Sequence, residues 1–454
     1  MERLICAKIR KYCEKNELIS RHQFGFRPGH QTLDVLTAIT HKVTAAWEDG
    51  METFLIALVL KKAFDRVWHN GLLTKLRAYG LGGKMLKWIT AYLQNRTQRV
   101  VVDGEESSER PVTSGVPQGS VLGPLLFLLY INDLADGYSN LYMFADDTTL
   151  LYNSVAKRTE ITDKREETAK RINEDLQKVR EWVQMWKMEV SAEKSQAMIL
   201  TRTRNTGKEP PELRYDEKAV PYADEVRLLG VHFNTKLSWE AHTEKMLVKA
   251  NRARSFLWKL KGIADQRDLL NYYKAAVRPL LEYCSPLFSG APNSILSKLD
   301  RFEHKCITMI TSDPARYAEI AAKEDSLEAR RQIGSLTYLS KLAARLAPTP
   351  VSSLVPQYVC DTRTRCSKRI REKEGAKLEY DVRRPKYLKR CGLNYAIDDL
   401  HNKMPVDSRC LLKQRIEEKD LLKCKGTVLR AVRQKIGASE LTKRKASAHD
   451  LYAE

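Results

Sequence analysis

The sequence predicts an α+β fold. Phe54 to Leu60 form a short apolar run of strand length, and "NLYMFADDTTLLYN" sets apolar flanks around Asp146 and Asp147, the pattern of a hairpin with acids at its tip. Between Ala169 and Trp186 the apolar positions Ala169, Ile172, Leu176, Val179, Val183 and Trp186 recur at spacings of three and four, which marks an amphipathic helix.

The other elements follow in order. The opening "MERLICAKIRKYCEKNELIS" carries Leu4, Ile5, Ile9 and Leu18 among basic residues and reads as a helix. Pro28 and Gly29 in "GFRPGHQT" turn the chain before a second helix from Thr32 to about Trp47. Residues 53 to 60 read as a buried strand, and 62 to 79 and 83 to 95 as helices parted by "GLGGK". Val100 to Val102 and Glu109 to Thr113 read as strands around a turn at Gly104. "SGVPQGS" is then a loop that feeds an apolar helix, Val121 to Leu134. "QAMILTR" and "VRLLGVHF" read as strands divided by "KEPPEL", and Trp239 to Leu346 is helical in pattern with a break at "SPLFSGAPN".

With 454 residues the chain has room for about three domains. Its 78 Lys and Arg against 57 Asp and Glu leave a formal charge of +21, which favours a polyanionic partner, most often nucleic acid, over a merely solvated basic surface. The longest apolar stretch, Val121 to Ile131, falls well short of the ~20 residues that a membrane span needs, so no membrane partner is expected. Residues 1 to 15 interleave charged and apolar residues and show no secretory signal. Nine cysteines without CxxC pairs suit a reducing, intracellular compartment.

Adjacent acids repel unless a cation or hydrogen bonds offset the repulsion, and hard oxygen donors such as Asp146 and Asp147 suit magnesium. The alternative for such a pair is a solvated turn, but apolar strands on both sides favour function. "TSGVPQGSVLGP" is punctuated by Gly115, Gly119 and Gly123 and opens a helix, so backbone can approach a ligand there. It lacks the GxxxxGK[ST] pattern of a P-loop, and a helix entry packed for geometric reasons explains it equally.

Five segments in this order resemble a reverse transcriptase of the non-LTR, LINE-type retrotransposons, close to the jockey-like group: "QFGFRPGHQT", "KKAFDRVWH", "SGVPQGSVLGPLLFLLYINDL", "FADD" and "LLGVHF". The resemblance implies a right-hand polymerase, with a palm of mixed or antiparallel sheet and helices. It divides the chain into a partial fingers region (1–50), the palm (51–238), a helical thumb (239–346) and a basic C-terminal region of unknown fold (347–454). It also implies attack of a DNA primer's 3′ hydroxyl on a deoxynucleotide's α-phosphate over an RNA template, with two magnesium ions clamping the reacting oxygens. The cellular place it implies is nucleus or cytoplasm.

Carried over by position, Asp146 and Asp147 are metal ligands. Phe64 is a steric gate under the sugar, with a core Phe as the alternative. Gln118 and Gly119 contact nucleotide or template. Lys194 in "SAEKSQ" resembles the late palm lysine that protonates pyrophosphate, unless it is a solvated lysine. Arg27 resembles a fingers residue near template or triphosphate, with helix capping as the alternative. Leu229 and Gly230 begin a primer grip, and Trp182 and Trp186 read as core.

The chain departs from that pattern where it matters most. The first palm aspartate should lie three residues before Lys62 and five before Phe64, and both counts land on Val59. Asp65 lies too far along to replace it and reads as a structural ion-pair residue; Glu52 is at the other end of the strand. Valine suits a strand, so the fold need not suffer while catalysis does. Segments expected before Met1, a further fingers motif among them, are not present, so an N-terminally truncated copy is expected. Ser191 stands where the family usually has Asn. At the C-terminus, Arg363 to Arg390 packs twelve Lys or Arg, and Cys360, Cys366, Cys391, Cys410 and Cys424 have spacings that fit no zinc module. Two functions remain: an RNA-directed DNA polymerase impaired by Val59, and a non-catalytic RNA- or DNA-binding remnant. A group II intron maturase or telomerase relative fits "LLGVHF" less well.

Overall fold

The computed structural model describes residues 1–157, 159–203, 209–311, 326–343 and 347–352. Helix α1 (Glu2–Lys15) buries Ile5, Cys6, Ile9 and Cys13 on one face. It ends earlier than the sequence suggests, because Asn16 bonds back to the Tyr12 carbonyl and Glu17 takes a positive φ of 49°. Helix α2 (Thr32–Glu48) starts on a capping box between Gln31 and Asp34.

Strand β1 (Met51–Leu58) is central in a four-stranded sheet, where burial on both faces explains its unbroken apolar run. It stops at Leu58 rather than Leu60, although Leu60 still forms an isolated bridge with Val190. Helix α3 is His69–Ala78 and α4 is Gly83–Leu93. The helix expected from residue 62 does not begin there. Lys62 has a φ of 48°, and the carbonyls of Phe64 and Val67 accept from Val116 and Gly115 instead of building a helical ladder.

A long hairpin turns at Gly104 through two short ladders, β2 (Thr97–Gln98) with β5 (Arg110–Pro111) and β3 (Val101–Val102) with β4 (Glu105–Glu106). Helix α5 (Gly123–Ile131) is buried almost all round, and a 3₁₀ turn carries the chain on through Asn132–Ala135. The acidic hairpin is β6 (Leu141–Phe144) and β7 (Asp147–Val155), and α6 (Ile161–Met185) follows with the expected buried stripe. Strand β8 (Gln196–Leu200) completes the sheet, whose order is β6-β7-β1-β8 with antiparallel pairing throughout. Small hairpins β9 (Arg214–Tyr215) with β10 (Lys218–Ala219), and β11 (Glu225–Leu228) with β12 (Val231–Asn234), end this part.

Phe54, Ile56 and Leu58 of β1 enter the core with Leu125 and Leu129 of α5 and Ile172 and Leu176 of α6. Within that core Lys75 is buried: its ammonium meets Asp133 and the Tyr130 carbonyl, and lies 3.7 Å from the centre of the Trp186 ring and 4.7 Å from that of Trp182. The two tryptophans are therefore partly buried and grip a buried charge. At the far end of β1, fully buried Glu52 accepts two bonds from Arg165 of α6, at 2.6 and 2.9 Å.

The chain divides into two compact units, residues 1–238 with Pro348–Val351 and a second beginning at Trp239. The described part of the second is helical: α7 (Glu240–Leu260), α8 (Gln266–Tyr272), α9 (Arg278–Glu282), α10 (Ser285–Phe288), α11 (Asn293–Thr311) and α12 (Leu327–Ala343). The short α10 occupies part of the expected break at "SPLFSGAPN". Cys6, Cys13, Cys284 and Cys306 are buried. The five C-terminal cysteines and the basic run lie outside the described residues. Among the described residues no helix is long and apolar enough to cross a membrane.

Candidate functional site

The β6–β7 turn holds both acids. Phe144 pairs with Asp147, leaving Ala145 and Asp146 as a two-residue turn in which Ala145 has a φ of 56°, a region that costs free energy for any residue but glycine. Asp146 is half-buried and Asp147 is exposed at its surface. Desolvation by the surrounding protein raises both carboxyls above their ordinary values; the charge of Asp146 adds to the rise at Asp147, and Arg227 opposes it.

Val59 lies beside this turn. Leu58, the last residue of β1, pairs with Thr148 of β7, and Val59 and Asp147 are the next residues outward on the two chains. Both residues line one cleft, together with Val35 and Ile39 of α2 and with Arg227 and Leu229. The Val59 backbone is fixed: its N–H donates to Ser195 Oγ at 3.1 Å and its carbonyl accepts from Ser191 N at 2.9 Å. Ser191 thus bonds through its backbone, which asparagine would do equally. Lys194 is exposed in the turn between these two serines.

Beyond Val59, the "KKAFD" turn and the glycine loop are fastened together. Gly115 N donates to the Val67 carbonyl, Val116 N to that of Phe64, and Ser114 Oγ to that of Asp65, at 2.8 to 3.0 Å. A Cβ on Gly115 would meet the Asp65 backbone at 2.9 Å, and Gly115 has a φ of 90°, so glycine is required at this crossing. Asp65 makes a hydrogen bond rather than the expected ion pair: its Oδ1 accepts from Gln118 Nε2 at 2.9 Å. Gln118 and Gly119 are exposed, while Phe64 is half-buried, stacked on Phe127 at 4.2 Å and edge-on to Phe26 at 6.0 Å. Arg27 turns inward, its Nη1 donating to the carbonyls of Ser20 and Gln23 at 2.9 and 3.0 Å.

Leu229 and Gly230 form the two-residue turn of the β11–β12 hairpin, with φ values of 47° and 86°. Two central residues with positive φ fit the turns that match strand twist, and here they bring Leu229 to the cleft. Arg227 was not foreseen from the sequence, because nothing local signals a cation that meets Asp147 through a separate hairpin. Gln23 was foreseen only as part of a quoted stretch, yet its buried amide bonds both N–H and carbonyl of Ala145.

Residues 1–233, more than half of the chain, match the family described as "Reverse transcriptase (RNA-dependent DNA polymerase)", and the chain belongs to that family. Among its relatives is the probable RNA-directed DNA polymerase from transposon X-element of Drosophila melanogaster, 29% identical over 320 residues that span 68% of this chain and 34% of that protein. The RNA-directed DNA polymerases from mobile element jockey of D. melanogaster and of Drosophila funebris are 27% and 28% identical over 329 residues, spanning 69% of this chain and 34% of each relative. The chain thus spans about a third of the length of these relatives. A solved apo telomerase from Candida tropicalis covers 78% of this chain and 56% of its own at 10% identity and a TM-score of 0.38, too slight a likeness to argue from.

Reverse transcriptases generally use divalent metal ions, and the donors here do not fit the full set. The turn carries two carboxylates, of which Asp147 lines the cleft; Val59 in the same cleft offers only methyl groups, and among the described residues no group of three or more His, Cys, Asp or Glu side chains could hold a metal.

Proposed function

We propose that this chain is the polymerase portion of a non-LTR retrotransposon reverse transcriptase that still engages an RNA template and DNA primer but extends the primer poorly or not at all. The observation that carries the reading is that Val59, the residue at the first-aspartate position, lines one cleft with Asp147. In that reading Asp146 and Asp147 are the remaining two of three acids that in the family hold two magnesium ions. Those ions, when bound, neutralise charge on the triphosphate and activate the primer hydroxyl. With one acid absent, no step through metal is assigned to the unmodified chain.

The chain's own residues keep the remaining tasks. Phe64, braced by Phe127, stands as the gate under the incoming sugar, and Gln118, held by Asp65, and Gly119 face nucleotide or template. Exposed Lys194 is free to reach a leaving pyrophosphate. Arg27 braces the loop at Ser20–Gln23 that bonds to the acidic turn, so in this reading it acts on template or triphosphate through that loop.

A second reading, a non-catalytic nucleic-acid-binding remnant, is favoured by the +21 charge together with the fastened glycine loop. Binding and extension are separable by experiment. Fluorescence anisotropy with a labelled DNA primer on an RNA template should show tight binding that weakens steeply with salt, as phosphate contacts require, while denaturing gels show no magnesium-dependent extension. Absence of binding would overturn both readings, and extension by the unmodified chain would overturn the impairment.

A further inference from the structure

We propose that Gln23 is a positioning residue for the acidic turn: its buried amide sets the direction in which Asp146 and Asp147 leave the β6–β7 hairpin. The proposal rests on the reading of those acids given above and extends it to a residue that touches neither substrate nor metal.

The hairpin does not hold its own tip. Ala145, the first turn residue, takes a left-handed conformation that alanine adopts at a cost, and in a two-residue turn its N–H and carbonyl have no ladder partner. Both are satisfied by Gln23, which lies 122 positions earlier in the chain. Gln23 Oε1 accepts from Ala145 N at 2.9 Å, and its Nε2 donates to the Ala145 carbonyl at 3.2 Å. The same Oε1 accepts from Gly25 N at 2.8 Å, which fixes the amide from its own side. Reversing the amide would face two N–H groups with a third donor, so only one orientation works. Gln23 is wholly buried, which shields these bonds from bulk solvent.

Two backbone contacts tie the same segments. Phe24 N donates to the Met143 carbonyl and Met143 N to the His22 carbonyl, both at 2.9 Å, so residues 22–24 run as a short parallel addition to the edge of β6. Gly25 then passes so close that a Cβ there would lie 2.3 Å from Ala145 N. Side-chain amide, edge strand and missing Cβ converge on one residue, the one immediately before Asp146. Glutamate at position 23 would lose the donor to Ala145, and an apolar residue would lose all three bonds, leaving two buried N–H groups, those of Ala145 and Gly25, and the Ala145 carbonyl unpaired.

The test uses the full chain with Gln23→Met and, as an independent lesion that removes no hydrogen bond, Gly25→Ala. Residue-resolved hydrogen exchange should show the Ala145 amide exchanging about tenfold faster or more in Gln23→Met, with the amides of α6 unchanged. In a Val59→Asp background, both lesions should lower kcat about a hundredfold, the scale of a small misplacement of reacting groups, with KM for deoxynucleotide and for template-primer nearly constant. Unchanged Ala145 exchange in Gln23→Met would overturn the proposal. So would faster exchange with kcat intact, since Gln23 would then be structural only, as would a uniform rise in exchange across α6. If Val59→Asp alone fails to extend a primer, the reading of the acids falls, and the exchange measurement by itself decides whether Gln23 holds the turn. Should Gln23→Met not fold, Gln23→Glu, which loses only the donor to the Ala145 carbonyl, carries the same two readouts.

Discussion

The two ends of strand β1 differ in what their side chains do. At the Glu52 end a fully buried carboxylate is matched by two hydrogen bonds from Arg165, so the acid there belongs to the fold. At the Val59 end the strand is pinned through its backbone, by Ser195 Oγ and Ser191 N, and the side chain bears none of that load. An acid at position 59 would share a cleft with Asp147, where like charges repel. In the proposed reading, the acid that chemistry needs is therefore one that the fold does not use.

Four changes sharpen or break that contrast. Glu52→Ala should have the largest effect, a loss of about 3–5 kcal/mol in urea unfolding, because it strands a buried guanidinium; a loss below about 1 kcal/mol would mean that the pair is dispensable. Gly115→Ala, just beyond the Val59 end, forces a Cβ against the Asp65 backbone at positive φ and should cost about 2 kcal/mol on the same measurement. In a Val59→Asp background it should also raise the nucleotide KM, and unchanged KM would detach the glycine loop from nucleotide binding.

The buried Lys75 provides a pH test of a second buried charge. Desolvation lowers its pKa from 10.5 to about 8, against the opposing pull of Asp133. The depressed value means that the unfolded chain holds the extra proton between those limits, so its contribution to stability is fully present above 10.5 and is lost as pH falls through about 8. From about pH 7.5 to 9.5 the parent should gain about 2 kcal/mol relative to Lys75→Met, measured by paired urea titrations; parallel curves would contradict the depressed value. Val59→Asp should have the smallest effect, a stability loss of about 1 kcal/mol or less without added metal. Magnesium should restore that loss through binding, and an equal magnesium response in the parent would place the metal elsewhere.

Much of this arrangement was legible in the sequence because it is local. The amphipathic stripe of α6, the breakers Pro28 and Gly29 before α2 and the apolar flanks of the acidic turn each leave a pattern within a few residues, and the count from Lys62 and Phe64 to Val59 is local too. What stayed hidden depends on partners far along the chain. The turn at 62–66 replaces a helix because its carbonyls find Gly115 and Val116, and Asp65 exchanges an expected ion pair for Gln118. Arg227 meets Asp147 only through the β11–β12 hairpin. No periodicity encodes such meetings.

The most direct measurement is single-turnover primer extension on an RNA template with magnesium, comparing the parent chain, Val59→Asp, and Val59→Asp with Asp146→Ala. The account predicts extension by Val59→Asp alone, at least about a hundredfold faster than the parent, or roughly 3 kcal/mol of transition-state stabilisation, and its loss again on removing Asp146. Extension by the parent at a similar rate, or by the double variant, would contradict it.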